Sequence, residues 1–322
     1  MPDRPLRRRL ACLLFTLCCL AGARAEEAAT ACPPAAKIPT PEQAKAGQEQ
    51  ARDHGFLWRI SKGGHSSWLY GTLHVGKAAW IYPGPQLKAA LREADTVALE
   101  LDMLDPAVLR RLTQAVQAAS APELPAPLTV RLARQIKFAC LDAQALKTLS
   151  PAMQAATLVA LAGRRDGLDP SYGIDPMLAA AAHRAGKKVV SLETPESQAQ
   201  ALGGETPEEE LDFVEQTLQE LESGKARPTL VRIARVWASG DLAELERYEQ
   251  WCDCMNTAAE RAQMHRLLDE RNAGMANGIA ALHSGGASVL AGVGSLHMIG
   301  SQGLPALLAA RGYTVERIRF AP

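Results

Sequence analysis

The sequence lacks the features that mark several large classes of enzyme and binding protein. Its 35 basic residues balance 35 acidic ones, and no stripe of Lys and Arg indicates a nucleic-acid partner. It contains no Gly-x-Ser-x-Gly, no His-Glu-x-x-His, no Walker loop and no complete dinucleotide fingerprint, which argues against the common serine hydrolases, zinc peptidases and nucleotide-binding folds. After residue 25 no apolar stretch approaches the roughly 20 residues that a membrane helix needs. We therefore expect no stable membrane span.

The one long apolar run lies at the N-terminus. Four arginines within residues 4–9 precede Leu10–Leu20, an apolar run of 11 residues, and Ala23-Arg24-Ala25 then supplies small residues before acidic Glu26. This order is typical of a cleavable secretory signal, and a buried N-terminal helix is the alternative. We predict a signal peptide over residues 1–25 and a periplasmic or secreted location of the Gram-negative type. Cleavage would leave 30 basic and 34 acidic residues, a net charge near −4.

Only four cysteines lie outside the predicted signal: Cys32, Cys140, Cys252 and Cys254. An even number of cysteines in an exported chain favours disulfides, and three pairings are open. The close pair Cys252 and Cys254 is also a candidate for soft-metal binding, although no His lies at the spacing of a zinc finger. We predict at least one bridge among Cys140, Cys252 and Cys254. Cys252 with Cys254 is expected to be the least comfortable pairing, because one intervening residue rarely allows relaxed bridge geometry.

The rest of the chain predicts one α/β (α+β) domain over residues 53–322, preceded by a flexible segment at 26–52 that is rich in Ala, Pro and Glu. Residues 56–60 and 66–76 read as strands of a hairpin around a Gly-Gly turn. The middle, about 128–283, is predicted to be a helical insertion. Its helices include a long one over 242–255 and another over 258–272, with one short strand between helices that ends at Glu193.

One supersecondary unit occurs near both ends of this domain. It consists of a strand, a Gly-x-x-His sequence, a helix and a second strand. The first copy contains Gly71-Thr-Leu-His74 and the second contains Gly294-Ser-Leu-His297. Such repetition is an organisational signal. It predicts a duplicated core in which both copies contribute strands to one mixed sheet.

His74, His297 and Glu100 are the residues that we expect to carry chemistry. Each His follows an apolar strand and precedes a loop into a helix, which is where ligands gather in open α/β sheets, and the Gly three residues earlier permits close approach. Glu100 lies in an apolar strand, where a carboxylate is costly unless it is paired or metal-bound. Two His and one Glu form a three-ligand site typical of catalytic hydrolytic metals.

This hypothesis has geometric consequences. The imidazole nitrogens of His74 and His297 should lie within about 5 Å of each other, since metal–nitrogen bonds are about 2.0–2.1 Å long. Glu100 should reach the same point from a strand directly beside the one that precedes His74. The alternative is that each His is a structural residue bonded to its own local backbone. Because strand-end residues contribute little to a core, replacing either His should leave the fold intact.

Several segments, in this order and spacing, resemble the TraB/PrgY/GumN family, which is related to the Tiki group of membrane-tethered metalloproteases. The resemblance covers about residues 56–320. It rests on Leu69–Val75, Val97–Asp102, Tyr172–Asp175, Gly186–Thr194 with Gln198, Glu270–Asn272 with Met275, and Gly292–Gly300 through Gly303-Leu304 and Gly312-Tyr313. It implies a duplicated α/β core whose paired Gly-x-x-His motifs and a Glu form a metal-dependent hydrolytic centre. In the Tiki branch such a centre cleaves peptide bonds with manganese or cobalt.

Residue by residue, the resemblance implies a centre made of His74, Glu100 and His297. It further implies supporting or substrate-contacting roles for four residues: Arg271, Asn272, Asp175 and Glu193. Arg271 would suit an oxyanion or a substrate carboxylate, through its fork of donors, and a structural ion pair is the alternative. Glu100 is either a metal ligand or the general base. The expected cofactor is a divalent metal, manganese or cobalt by resemblance, with zinc also a candidate.

Two functions follow from these residues. The first is an exported metal-dependent hydrolase, peptidase-like, that acts on a peptide or small-molecule substrate and uses the metal to activate water. The second is a non-catalytic periplasmic binding or signal-sequestering protein that uses the same cleft without turnover. Chemistry-capable residues at both strand ends favour the enzyme.

Overall fold

The computed structural model describes residues 32–117, 121–204 and 206–320. The predicted signal segment lies outside these residues. The chain divides into a unit of residues 1–34 and a unit of residues 35–322, and only Cys32–Pro34 of the first unit are described. All of the described strands and helices belong to the second unit.

Six strands form one mixed sheet in the order β4-β3-β5-β2-β1-β6. Strands β4, β3, β5 and β2 run parallel, and β1 is antiparallel to both β2 and β6. The predicted hairpin is therefore present as β1–β2, and the α/β class is confirmed. The strands are β1 Phe56–Lys62, β2 His65–Thr72, β3 Thr96–Leu99, β4 Lys188–Ser191, β5 Val289–Gly294 and β6 Thr314–Ile318.

The hydrophobic pattern explains which strands are central. All residues of β3 and of β5 are buried, as expected for parallel strands that are covered on both faces. The edge strands β4 and β6 contain only exposed and partly buried residues. The centre of the sheet is therefore formed by the fully buried strands β3 and β5. Glu100 and His297 follow the carboxyl ends of these two strands.

The two repeated units interlock in the sheet. In the first, β2 leads through a helix to β3, and in the second β5 leads through a helix to β6. Strands β2 and β5 are neighbours, with Gly71 opposite Val293 and Thr72 opposite Gly294. The two Gly-x-x-His sequences therefore leave the sheet side by side. The expectation that the strand of Glu100 lies directly beside that of His74 is wrong, because β5 pairs with both strands and separates them.

Helices cover the sheet and fill the middle of the chain. They are α1 Pro41–Glu49, α2 Pro85–Glu93, α3 Pro106–Ala115, α4 Ala126–Phe138, α5 Ala143–Leu146, α6 Pro151–Leu161, α7 Ile174–Arg184, α8 Pro195–Gly203, α9 Pro207–Glu222, α10 Ala226–Ser239, α11 Leu242–Leu245, α12 Tyr248–Trp251, α13 Ala258–Leu267, α14 Asp269–Ser284 and α15 Leu304–Ala310. Short 3-10 turns occupy Ala78–Ile81, Arg164–Asp166, Pro170–Tyr172 and Ser295–Met298. Within the described residues, no helix combines the length and the apolarity that a membrane span requires.

Two predicted helices differ from the observed ones. The predicted helix over 242–255 is two short helices, α11 and α12, followed by a turn at Cys252–Cys254. Asp253 in that turn has φ 57°, a left-handed conformation that no α-helix accommodates. The predicted helix over 258–272 is divided at Leu268, with φ −117° and ψ −69°, and α14 then continues to Ser284.

The hydrophobic residues form two separate clusters. The larger one joins the sheet to its covering helices and includes Leu69, Leu99, Leu178 and Trp237. The smaller one lies among α4, α6 and α9 and contains Leu128, Leu132, Ile136, Ala152, Leu158, Val214 and Leu218. Part of the predicted helical insertion thus has a core of its own.

Cys252 and Cys254 form a disulfide, and Cys32 and Cys140 are also disulfide-bonded. The prediction of at least one bridge among Cys140, Cys252 and Cys254 is confirmed. Cys252 with Cys254, which the sequence predicted to be the least comfortable pairing, is one of the bridges present, and its loop contains the left-handed residue Asp253.

Candidate metal centre

The carboxyl ends of the four parallel strands meet at one edge of the sheet and carry most of the predicted site. His74 follows β2, Glu100 follows β3, Glu193 follows β4 and His297 lies in the 3-10 turn after β5. The backbone pairing of β3 with β4 continues beyond both strands, since Glu193 N–H donates to Glu100 O at 3.1 Å. Strand ends in an open α/β sheet are a usual place for a ligand.

Three of these side chains face a common point beside Gly294. A Cβ atom built on Gly294 would lie 3.2 Å from Glu100 Oε1, 3.2 Å from His74 Nε2 and 3.6 Å from His297 Cδ2. His74 Nε2 is 3.8 Å from Glu100 Oε1. Any side chain at residue 294 would fill this space, which is the physical reason for the second Gly-x-x-His glycine.

His74 is held by a carboxylate on α7. Its Nδ1 bonds Asp175 Oδ2 at 2.8 Å, and Thr72 Oγ1 donates to Asp175 Oδ1 at 2.6 Å. The charge of Asp175 raises the pKa of His74 above its usual 6.5. The His74 side chain is 61% exposed, so water screens part of the attraction. Nδ1–H is directed to Asp175, and Nε2 faces Glu100.

His297 has the opposite environment. It is 3% exposed, and its Nδ1 lies 2.7 Å from Asn272 Oδ1 on α14. Asn272 Nδ2 donates to Gln302 O at 2.9 Å, which fixes Oδ1 as the acceptor, so Nδ1 of His297 is the protonated nitrogen and Nε2 carries the lone pair. Burial lowers the pKa of His297 from 6.5 to about 4, and the ring is neutral at pH 7.

Glu100 is a buried carboxylate with a full set of partners. Its Oε1 accepts from Gly294 N–H at 2.8 Å, and its Oε2 accepts from Gln198 Nε2 at 3.0 Å and from Arg271 Nη2 at 2.8 Å. Burial opposes ionisation, but the nearby histidines, Arg271 and the Gly294 N–H outweigh it and lower the pKa of Glu100 from 4.5 to about 2. Glu100 is therefore charged at neutral pH.

Arg271 joins Glu100 to Glu193. Its Nε donates to Glu193 Oε1 at 2.8 Å, its Nη2 donates to both carboxylates and its Nη1 donates to Leu267 O at 2.8 Å. Burial alone would lower the pKa of Arg271, but the two glutamates raise it. Arg271 forms the buried ion pair that the sequence left as one of its two alternatives, and a contact with substrate stays a prediction.

The side chains at this point, two imidazoles and a carboxylate, are of the kind that bind a divalent metal. In both histidines Nδ1–H donates a hydrogen bond to a side-chain oxygen, which is the arrangement by which proteins orient metal-binding imidazoles. Neither of these hydrogen bonds is to the local backbone of the histidine. The carboxylate of Glu100 faces the same point. Among residues 32–117, 121–204 and 206–320, however, no group of three or more His, Cys, Asp or Glu side chains is arranged to hold a metal ion. The roles of His74, Glu100 and His297 as ligands stay predictions.

All seven residues that the sequence and its resemblance assigned to the centre lie in this one network. Two further members carried no assigned role: Thr72, which holds Asp175, and Gln198, which holds Glu100. Gln198 lies on α8, five residues after Glu193, on the helix that begins directly after β4. The signal that could have identified Gln198 is its place as a polar residue near the start of a helix that follows a parallel strand.

A small cavity lies next to the network. It has a volume of about 290 Å³, and its wall includes Leu268 and Leu296, the second of which precedes His297 in the chain. Further apolar residues in the wall are Met255, Met264 and Ile299, and acidic residues are Glu246, Glu249 and Asp269. The wall also contains Arg261 and His265, so the cavity combines apolar side chains with more acidic than basic ones.

Residues 56–317 match the model of the TraB/PrgY/gumN family. The match covers nearly the whole described chain, and it includes both Gly-x-x-His units and the α14 residues that hold His297 and Glu100. No curated protein and no solved structure matches the chain significantly. The chain belongs to the TraB/PrgY/gumN family.

Proposed function

We propose that this member of the TraB/PrgY/gumN family is a metal-dependent hydrolase, peptidase-like in its chemistry. His74, Glu100 and His297 would hold one divalent metal, manganese, cobalt or zinc, which activates water for attack on the substrate when bound. The observation that carries the proposal is the convergence of these three side chains on the space in front of Gly294.

The surrounding residues support this role by fixing the donors. Asp175 and Asn272 each accept a hydrogen bond from Nδ1–H of one histidine. In both rings Nε2 is therefore the nitrogen that would bind the metal. Such supporting contacts orient a ligand before the metal arrives and typically change metal affinity or activity 10- to 100-fold when removed, an order-of-magnitude range.

Glu100 is better suited to be a ligand than a general base. A base works best when its pKa is near the operating pH, and the pKa of Glu100 is lowered to about 2. Its charge is instead held in place by Arg271 and Gln198, as expected of a fixed anionic ligand. The proton acceptor for the water would then be another group.

The recess beside His297 is where we place a substrate side chain. Its apolar wall at Leu268 and Leu296 would take methylene or methyl groups, and its excess of acidic side chains favours a substrate without a negative charge at that position. A peptide or a small amide meets both conditions.

The experiment is a metal titration of the purified chain with Mn²⁺, Co²⁺ and Zn²⁺, followed by elemental analysis and assay on a peptide library. We expect one metal per chain, and loss of both metal and hydrolysis in His74→Ala and His297→Ala. The matched control is His65→Ala, at the opposite end of β2 from His74, which should keep its metal. Full metal content in both site variants would contradict the proposal.

The alternative, a binding protein without turnover, is favoured by two observations. No group of three ligating side chains in the described residues is arranged to hold a metal as it stands, and Arg271 occupies Glu100 Oε2. Retention of a small peptide by the metal-free chain, with no cleavage in the presence of any of the three metals, would support this alternative.

We also propose that the chain is exported and that the mature protein begins at Glu26, since residues 1–25 have the pattern of a secretory signal. N-terminal sequencing of the protein from a Gram-negative host tests this. A chain that begins at Met1 and is recovered from the soluble cytoplasm would contradict it.

A further inference from the structure

The disulfide between Cys252 and Cys254 is unusual in having one residue inside its loop. A disulfide stabilises a fold mainly by reducing the number of conformations that the unfolded chain can adopt, and this effect grows with loop length. A loop this small therefore contributes little of that kind. The bridge also forces Asp253 to φ 57°, a left-handed conformation that L-residues adopt at an energetic cost.

The two sulfur atoms differ in access. Cys252 is 2% exposed, and its Sγ accepts a hydrogen bond from Cys254 N–H at 3.2 Å. Cys254 is partly exposed, and Tyr248 Oη lies 3.7 Å from its Sγ. An incoming thiolate thus reaches Cys254, while the sulfur that would leave, Cys252, has an N–H donor that stabilises negative charge.

The bridge lines a cavity of about 530 Å³ between α9, α10 and α13. Its wall contains Glu220 and Glu260 as well as Asp253, and Lys225 is paired with Asp253. The wall has more negative than positive charge, which favours an uncharged or basic thiol over an anionic one. None of the seven residues assigned to the proposed metal centre lines this cavity.

We propose that Cys252–Cys254 is a thiol–disulfide exchange site whose co-reactant is a dithiol. The thiolate of the dithiol attacks Cys254 Sγ, the Cys252–Cys254 bond breaks, and Cys252 leaves as a thiolate that takes up a proton. The second thiol of the co-reactant then attacks the mixed disulfide and releases Cys254. The co-reactant becomes a disulfide and the chain holds two thiols, and in the reverse reaction these two thiols reduce a disulfide co-reactant.

The test uses the full-length chain in graded mixtures of reduced and oxidised dithiothreitol, with the thiols trapped by alkylation and assigned by peptide mass spectrometry. We expect Cys252 and Cys254 to be alkylated together at a ratio of reduced to oxidised dithiothreitol at least tenfold lower than the ratio that exposes Cys140, which is also disulfide-bonded. Reduced glutathione, which is anionic, should react more slowly than dithiothreitol.

A matched pair of variants isolates the left-handed turn. Asp253→Gly and Asp253→Ala both lose the contacts of Asp253 with Lys225 and Asn256, but only Gly adopts positive φ without cost. The glycine variant should need a several-fold higher ratio for half reduction than the alanine variant. A double variant, Cys252→Ser with Cys254→Ser, should keep its melting temperature within about 3 °C, because a short loop adds little stability.

Three results would overturn the proposal. The first is a Cys252–Cys254 bridge that persists at ratios that reduce Cys140. The second is an equal midpoint in the glycine and alanine variants. The third is unfolding of the double serine variant, which would assign the bridge a purely structural role.

Discussion

His74 and His297 occupy the same position in two copies of one motif, yet their surroundings differ in almost every respect. His74 is 61% exposed and bonds a carboxylate, Asp175. His297 is 3% exposed and bonds an amide, Asn272. The pKa of His74 is raised by Asp175 and that of His297 is lowered by burial. The local sequence places both rings at a strand end, and the helix packed against each ring sets its protonation.

The difference assigns complementary properties to the two halves of the centre. His297 is a neutral donor that is fixed before any ligand arrives, since its ring is enclosed and its tautomer is set by Asn272. His74 holds a proton more strongly and has room to move, so a cation that binds there must displace that proton. Substitutions in each half, and in the residue that both halves share, test this difference.

The largest effect is expected from Arg271, whose charge acts on both histidines. Arg271→Met leaves Glu100 and Glu193 buried without their counterion, and the free energy of unfolding should fall by about 3–5 kcal/mol. Urea denaturation measures this. The control is Arg111→Met, because the Arg111–Glu196 pair is exposed on both sides and should change the free energy by less than about 1 kcal/mol. Equal losses in the two variants would show that the site pair is no stronger than a surface pair.

Replacement of each histidine by alanine should lower the free energy of unfolding by different amounts. His297→Ala leaves the Asn272 amide oxygen without its buried donor, which costs about 1–3 kcal/mol. His74→Ala removes an exposed ring and should cost less than about 0.5 kcal/mol. The sequence-based expectation that either change leaves the fold intact stays a prediction for both residues. Equal melting temperatures for both variants would contradict the contrast.

Exchange of the supporting side chains Asp175 and Asn272 should shift the pH of Mn²⁺ release in opposite directions. Asp175→Asn removes the charge that raises the pKa of His74, so the protein should retain bound Mn²⁺ to a pH lower by about one unit. Asn272→Asp adds a carboxylate beside His297, raises its pKa and should cause Mn²⁺ release at a pH higher by about one unit. Elemental analysis after dialysis at graded pH gives both values. A shift in the same direction for both variants would disprove the assignment of roles.

The last contrast is the pH dependence of stability that His297 contributes. Unfolded His297 binds a proton near pH 6.5, and the folded residue does so only near pH 4. Between these values the unfolded state binds more protons, so the free energy of unfolding of the metal-free protein should fall as the pH drops from 6.5 to 4. His297→Gln should show a shallower slope in this window. An unchanged slope would mean that other groups, such as buried His283, whose pKa burial also lowers, account for the dependence.

The parts of the site that the sequence predicted are those determined by local pattern. Gly71 and His74, Gly294 and His297, and a carboxylate at Glu100 inside an apolar strand could all be read from composition and spacing. The hairpin of β1 and β2 was readable for the same reason, since two apolar strands flank a Gly-Gly turn. Each of these signals depends on a few consecutive residues.

The errors arose where contacts that the local hydrophobic pattern does not record determine the structure. Strand order is one case: β5 enters between β2 and β3, although it follows them by most of the chain. The predicted helix over 242–255 is another, because its apolar periodicity continues through Cys252–Cys254 while the disulfide imposes a left-handed turn at Asp253. Hydrophobic spacing carries no record of a covalent link or of a strand insertion.

The sequence by itself determined the family, the α/β class and the strand-end positions of both histidines and Glu100, because period, glycine spacing and burial of apolar runs are local properties of the chain. Only the tertiary structure decided that β2 and β5 lie side by side, that Arg271 neutralises Glu100 and Glu193, and that His74 meets a carboxylate while His297 meets an amide. Those contacts join segments remote in the chain, and the charges and burial that they bring together shift the pKa values of His74, Glu100 and His297.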